Sequence, residues 1–170
     1  MTARRPNIIL INCDDLGYGD IGPYGSTCNR TPYLDRMAAE GMQFTDFYVG
    51  SPVCSPSRAA LLTGCYPQRV GLATGYTQGV LFPGDPMGLH PNETSMGRVL
   101  KDAGYNTMII GKWHLGDQPP FLPTRHGFDR YFGLPYSNDM ESGNRRLIEN
   151  RGLGGMPTLP LMQDADVIEE

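Results

Sequence analysis

The run Asn7-Ile8-Ile9-Leu10-Ile11-Asn12-Cys13, followed at once by Asp14-Asp15, restricts the fold more than any other stretch of the chain. Consecutive aliphatic residues without alternation read as a strand apolar on both faces, the pattern of a parallel sheet covered by helices. In such α/β folds ligand sites gather beyond the carboxyl ends of the strands. Adjacent carboxylates there resist joint ionisation unless a cation neutralises them, and their hard oxygen donors suit Ca²⁺ or Mg²⁺. Asp14 and Asp15 are therefore candidate ligands of one divalent metal. The plainer alternative has Asp14 capping a turn and Asp15 in solvent.

The rest of the chain keeps an α/β rhythm. Thr31 to Gly41 has a cap at Thr31, Pro32 at the first helical position, an apolar stripe at Leu34, Met37 and Ala38, and a terminating glycine. Met42 to Tyr48 is a candidate strand. Met96, Val99, Leu100 and Ala103 recur at helical spacing, so Thr94 to Ala103 is expected to be a helix ended by Gly104. Tyr105 to Gly111 is expected to be a second buried strand. Ahead of that helix, Cys65 to Pro91 shows no sustained period and reads as a long surface loop. Pro157 to Glu170 suits a small hairpin turning at Gln163-Asp164-Ala165-Asp166.

Two stretches carry the chemistry. In Val53 to Gly64, Ser55 can cap a helix, Pro56 fits its first position, Ala59 to Leu62 supply propensity, and Gly64 stops it. Cys54 then sits at the positive end of a helix dipole with Arg58 one turn on, a place for an anion or for a nucleophile attacking one. The plainer alternative is a buried free cysteine. In Gly111-Lys112-Trp113-His114, Lys112 and His114 lie two apart, and in an extended segment both project to one side. Alone, each would read as a solvated lysine and a structural histidine.

Cys54-Ser55-Pro56-Ser57-Arg58 followed by Leu62-Thr63-Gly64 resembles the signature of the type I sulfatases. Gly104 to His114 resembles the second signature of the same family, in the same order. The resemblance implies an alkaline-phosphatase-like α/β fold, a mostly parallel mixed sheet between helices. It implies that Cys54 is oxidised to Cα-formylglycine, whose hydrate attacks the sulfur of a sulfate ester. It implies Asp14, Asp15 and the group at Cys54 as metal ligands, Arg58 and Lys112 as charge partners, and His114 as a base or orienting group. Leu134 to Asp139 is similar to the stretch whose serine, here Ser137, contacts the sulfate together with Lys112. His126 to Gly133 resembles a structural segment whose aromatics pack. The expected partners are an aryl or carbohydrate sulfate and a maturation enzyme, either the formylglycine-generating enzyme or the anaerobic sulfatase maturase.

The resemblance runs from Asn7 to the end but matches only the front of a sulfatase, so residues 1–170 are expected to form the N-terminal portion of a catalytic domain, incomplete on its C-terminal side. Later metal ligands, a second sulfate-binding lysine and the histidine that protonates the leaving group have no counterpart here. Two alternatives stay open: a non-catalytic fragment, and a related metal-dependent phosphatase or phosphodiesterase. The net charge of −4 argues against nucleic acid as a partner, and no apolar run approaches a membrane span of roughly 18 residues. No leader of secretory type is read at the N-terminus, so the chain is expected to stay in the cytoplasm or to have lost its leader, whereas the family is commonly periplasmic, secreted or lysosomal.

Overall fold

The computed structural model describes residues 5–73, 79–140 and 158–169. The chain divides into two compact units, Met1–Phe47 and Tyr48–Glu170.

In the first unit the apolar run at residues 7–13 forms no strand. Ile8 to Ile11 are exposed, Ile9 at 85%. A strand exists through its ladder, and no described residue pairs with this run. The sequence pattern is that of a buried strand; the partners that would bury it are not among the described residues. Asp14 and Asp15 follow in a turn, and Asp15 adopts a left-handed backbone at φ 54°.

Two short 3₁₀ turns, Tyr18–Asp20 and Gly22–Tyr24, lead to helix α1, Pro32–Glu40. Thr31 occupies the cap position, but its hydroxyl is engaged elsewhere. It accepts the Gly22 N–H at 2.7 Å and donates to Asp35 Oδ1 at 3.2 Å. The stripe residues Leu34 and Met37 are exposed. Residues 42–48 form no strand either. Their ties within the unit come from side chains, with Tyr24 donating to the Phe44 oxygen and Gln43 to the Pro23 oxygen.

The second unit contains helices α2 (Cys54–Thr63) and α3 (Met96–Asp102). Its four strands are β1 (Met108–Ile110), β2 (Arg130–Gly133), β3 (Leu161–Gln163) and β4 (Asp166–Glu169). They form one mixed sheet in the order β1-β2-β3-β4. The first pair is parallel and the other two antiparallel. The expected hairpin around Asp164 is β3–β4. Its turn is clamped to β2, where Asp164 accepts the Tyr131 N–H at 2.9 Å and the Arg130 Nε–H at 3.1 Å.

β1 was expected to be buried, yet Met108 and Ile110 are exposed. It is the edge of this sheet, hydrogen-bonded to β2 alone among the described residues. Helix α3 is shorter than its periodicity suggests. It starts at Met96, and Ser95 caps it by accepting the Arg98 N–H at 3.1 Å.

The stretch 65–91 is expected on the surface, yet among its described residues, 65–73 and 79–91, several feed the core. Val70, Leu72, Leu81 and Leu89 pack with Ala59, Leu62 and Trp113. Irregular spacing among glycines and prolines gives no helical or strand period, so the pattern that marks a buried element is absent. Burial needs only that each aliphatic group meets apolar neighbours, at about 1.5–3 kcal/mol per large side chain.

The sheet ends in a close glycine contact. A Cβ on Gly133 would lie 2.0 Å from the Gly111 oxygen. With no side chain at Gly133, the two backbones run side by side beyond the sheet. Gly111 N–H donates to the Phe132 oxygen, Trp113 N–H to Leu134 and His114 N–H to Pro135, each at 2.9 Å. Residues 112–114 are thereby laid along residues 134–137.

Candidate active site

Helix α2 begins at Cys54, with Val53 as its extended cap residue. Ser55 does not cap it. Its side chain is fully buried and its oxygen accepts the Leu81 N–H at 3.0 Å. The helix starts two residues earlier than the Ser-Pro pattern suggests, because a hydroxyl engaged by a core segment does not hold the helix amides. The stop is as expected: Gly64, at φ 67°, donates to the Ala60 oxygen at 2.8 Å.

Cys54 is half-buried with a free thiol. It occupies the first helical position, where unpaired amides and the helix dipole favour negative charge. Arg58, one turn on, donates through Nη1 to the Lys112 main-chain oxygen at 2.6 Å. Lys112 extends its ammonium to the Ser137 hydroxyl, with Nζ to Oγ at 3.1 Å. The pairing of 112–114 with 134–137 makes that contact possible. His114 is buried at 1% exposure, with Nε2 2.8 Å from the Leu81 oxygen, and its backbone is left-handed at φ 61°. A non-glycine residue there is uncommon and marks a locally over-determined position.

Trp113 stands between these two residues as their anchor. Its indole donates to the Phe121 oxygen at 2.9 Å and packs against His126 and, edge-on, Phe128. The aromatics of 126–133 therefore pack, as expected. Tyr131 is also buried. Burial pushes its phenol above the ordinary range, against the opposing pull of the Arg58 charge.

The structure thus links Arg58, Lys112 and Ser137 in one chain of contacts, with His114 two residues further along the same segment. Asp14 and Asp15 lie in the first unit, both exposed. Among the described residues, no three His, Cys, Asp or Glu side chains cluster as a metal cage. Sequence reasoning missed Leu81, which meets both Ser55 and His114. An isolated leucine in an aperiodic stretch carries no signal of such a role, since it acts through its peptide.

Comparison with known proteins decides the family. The Sulfatase family model matches residues 6–169. The chain belongs to the sulfatase family. Bovine (Bos taurus) arylsulfatase A is 54% identical over 139 residues, which are 81% of this chain and 27% of that protein. The N-acetylgalactosamine-6-sulfatase of Sus scrofa is 45% identical over 168 residues, 97% of this chain and 30% of the relative. Among solved structures, Ps i-CgsB superposes with a TM-score of 0.81 at 35% identity, covering 98% of this chain and 38% of that one. The PsFucS1 sulfatase from Pseudoalteromonas sp. gives 0.75 at 33% identity, covering 96% and 35%. This sulfatase chain therefore has their alkaline-phosphatase-like α/β fold, with an open mixed sheet. It spans about a third of the length of the relatives it matches. No described helix is long and apolar enough to cross a membrane.

Proposed function

We propose that these residues form the nucleophile and sulfate-binding side of a centre that hydrolyses aryl or carbohydrate sulfate esters. The observation that carries the reading is the Arg58–Lys112–Ser137 chain of contacts, which begins one turn into the helix that Cys54 opens. A sulfate monoester is an anion, and negative charge grows on its oxygens during hydrolysis. A preorganised ammonium and hydroxyl beside it stabilise that growth. Lys112 supplies the charge and Ser137 a second donor. Arg58 fixes the Lys112 main chain, and its guanidinium adds positive potential. His114 is held by the Leu81 carbonyl through one ring nitrogen and uses the other to accept or steer a proton.

The residues present fit the two groups that the family resemblance implies. Cys54, a half-buried free thiol at a helix start, fits conversion to formylglycine by a formylglycine-generating enzyme or an anaerobic maturase. Asp14 and Asp15 offer hard oxygen donors that would suit Ca²⁺ or Mg²⁺. Together these groups supply the nucleophile and neutralise its charge.

A second reading is favoured by length, since the chain spans 27% of one relative and 38% of a solved neighbour. In that reading residues 1–170 are the N-terminal portion of the catalytic domain and bind sulfate or a cation without turnover. The test is release of sulfate from a chromogenic aryl sulfate, beside the matched phosphate ester, by protein from cells that hold the maturation enzyme. Sulfate-selective turnover lost in Lys112→Ala supports the hydrolase reading. Saturable sulfate binding without turnover supports the second. Preference for phosphate contradicts both and favours the related phosphatase.

A further inference from the structure

Leu81 is held at both ends of its main chain by residues from the two halves of the site. Its N–H donates to Ser55 Oγ at 3.0 Å and its oxygen meets His114 Nε2 at 2.8 Å. All three residues are buried, at 0% for Ser55, 2% for Leu81 and 1% for His114. A carbonyl oxygen only accepts, so Nε2 must carry the proton. In the neutral imidazole Nδ1 is then the unprotonated nitrogen, the one that can accept a proton. The His114 main chain is fixed independently, by its N–H on the Pro135 oxygen at 2.9 Å and by its left-handed φ. With the backbone set, the ring's rotation and tautomer depend on where the Leu81 carbonyl stands. Leu81 belongs to no helix or strand, so no ladder or helix bond holds its N–H, and the bond to Ser55 sets how its peptide plane stands.

We propose that Ser55 is a positioning residue of the sulfatase centre: through the Leu81 peptide it holds His114 as the Nε2–H tautomer and leaves Nδ1 to handle the proton. This rests on the hydrolase reading above for the meaning of that proton. The hydroxyl after Cys54 thus has a task separate from the nucleophile. It connects the helix that presents residue 54 to the imidazole that serves it. Removing the hydroxyl leaves a buried N–H unsatisfied, which forces the Leu81 peptide to turn or shift.

The test is a two-bond ¹H–¹⁵N correlation spectrum of the imidazole-labelled 170-residue chain near pH 8, with His90 and His126 assigned by substitution. Wild type should show His114 as a single Nε2–H tautomer and a Leu81 amide protected from exchange. Ser55→Ala should give His114 mixed or reversed tautomers and speed Leu81 exchange at least tenfold. Ser55→Thr, which keeps the oxygen, should restore both. A wild-type His114 protonated at Nδ1 alone overturns the proposal, as does an unchanged tautomer in a folded Ser55→Ala chain. If Ser55→Ala loses its folded amide dispersion, the wild-type tautomer and the Ser55→Thr spectrum decide. The readout needs no turnover and no conversion of Cys54. Failure of the sulfatase chemistry would appear in the peptide mass of residue 54 instead, with the tautomer untouched.

Discussion

Arg58 Nη1 donates to the Lys112 main-chain oxygen at 2.6 Å, joining two segments 54 residues apart in sequence. The bond ties helix α2 to the segment that leaves β1, and so couples the placement of Cys54 to that of Lys112. Charge-assisted bonds of this kind are short and about twice as strong as neutral ones.

Truncating Arg58 should therefore loosen the second unit as well as remove charge. Arg58→Ala is expected to lower unfolding stability by about 1.5–3 kcal/mol, the cost of losing a hydrogen bond from a charged donor to a half-buried carbonyl. Arg58→Lys should recover only part, because an ammonium cannot reproduce the guanidinium geometry. Urea titration followed by tryptophan fluorescence measures both, since Trp113 lies in the anchored segment. A change below about 0.5 kcal/mol for Arg58→Ala would mean the bond contributes little in solution.

Asp14 and Asp15 are expected to bind one divalent cation. Exchanging both for Asn keeps the shape but removes the negative charge that attracts a hard cation. Elemental analysis of purified protein should show Ca²⁺ or Mg²⁺ retention reduced at least tenfold in the double variant. Equal metal content in the two proteins would remove these residues from the donor set.

Acid should destabilise the chain in two steps of different origin. Burial, reinforced by the Arg98 charge, lowers His126 from 6.5 to about 4. The native ring is thus neutral where the unfolded chain already binds a proton. Stability is full above 6.5 and falls as pH drops through that window, by up to about 3 kcal/mol from this group. Asp129 moves from 3.8 to about 2, through its hydrogen bonds with Lys101 and Thr107. Its contribution is present above 3.8 and fades as pH falls toward 2. His126→Gln should flatten the slope between pH 6.5 and 4 and leave the lower step in place. An unchanged slope in that variant would assign the upper step to other groups.

The sequence was most legible where local chemistry decides the structure. Gly64 and Gly41 end their helices at the expected places, Pro32 opens α1, and the Asp164 turn closes its hairpin because each signal acts within a few residues. Lys112 and Ser137 were named from motifs, and the glycine contact at 111 and 133 is what brings them together. What failed were inferences that depend on partners. The run at residues 7–13 has the composition of a central strand but no described ladder, and β1 is an edge although its residues suit an interior. Residues 65–91 failed for a different reason: aperiodic burial leaves no pattern. Ser55 was given the commonest task of a serine at a helix start, and a bond to a residue 26 positions away took it instead.

The central claim is that residue 54 is a converted cysteine in a sulfatase centre. It is tested most directly by the mass of the peptide that spans it. Conversion of the thiol to an aldehyde removes sulfur and two hydrogens and adds one oxygen, leaving the peptide about 18 Da lighter. Protein from cells that hold a formylglycine-generating enzyme or an anaerobic maturase should show that loss, with the peptide captured by a hydrazide probe. Quantitative alkylation of Cys54 by iodoacetamide in protein from the same cells, with no lighter species, would contradict the account.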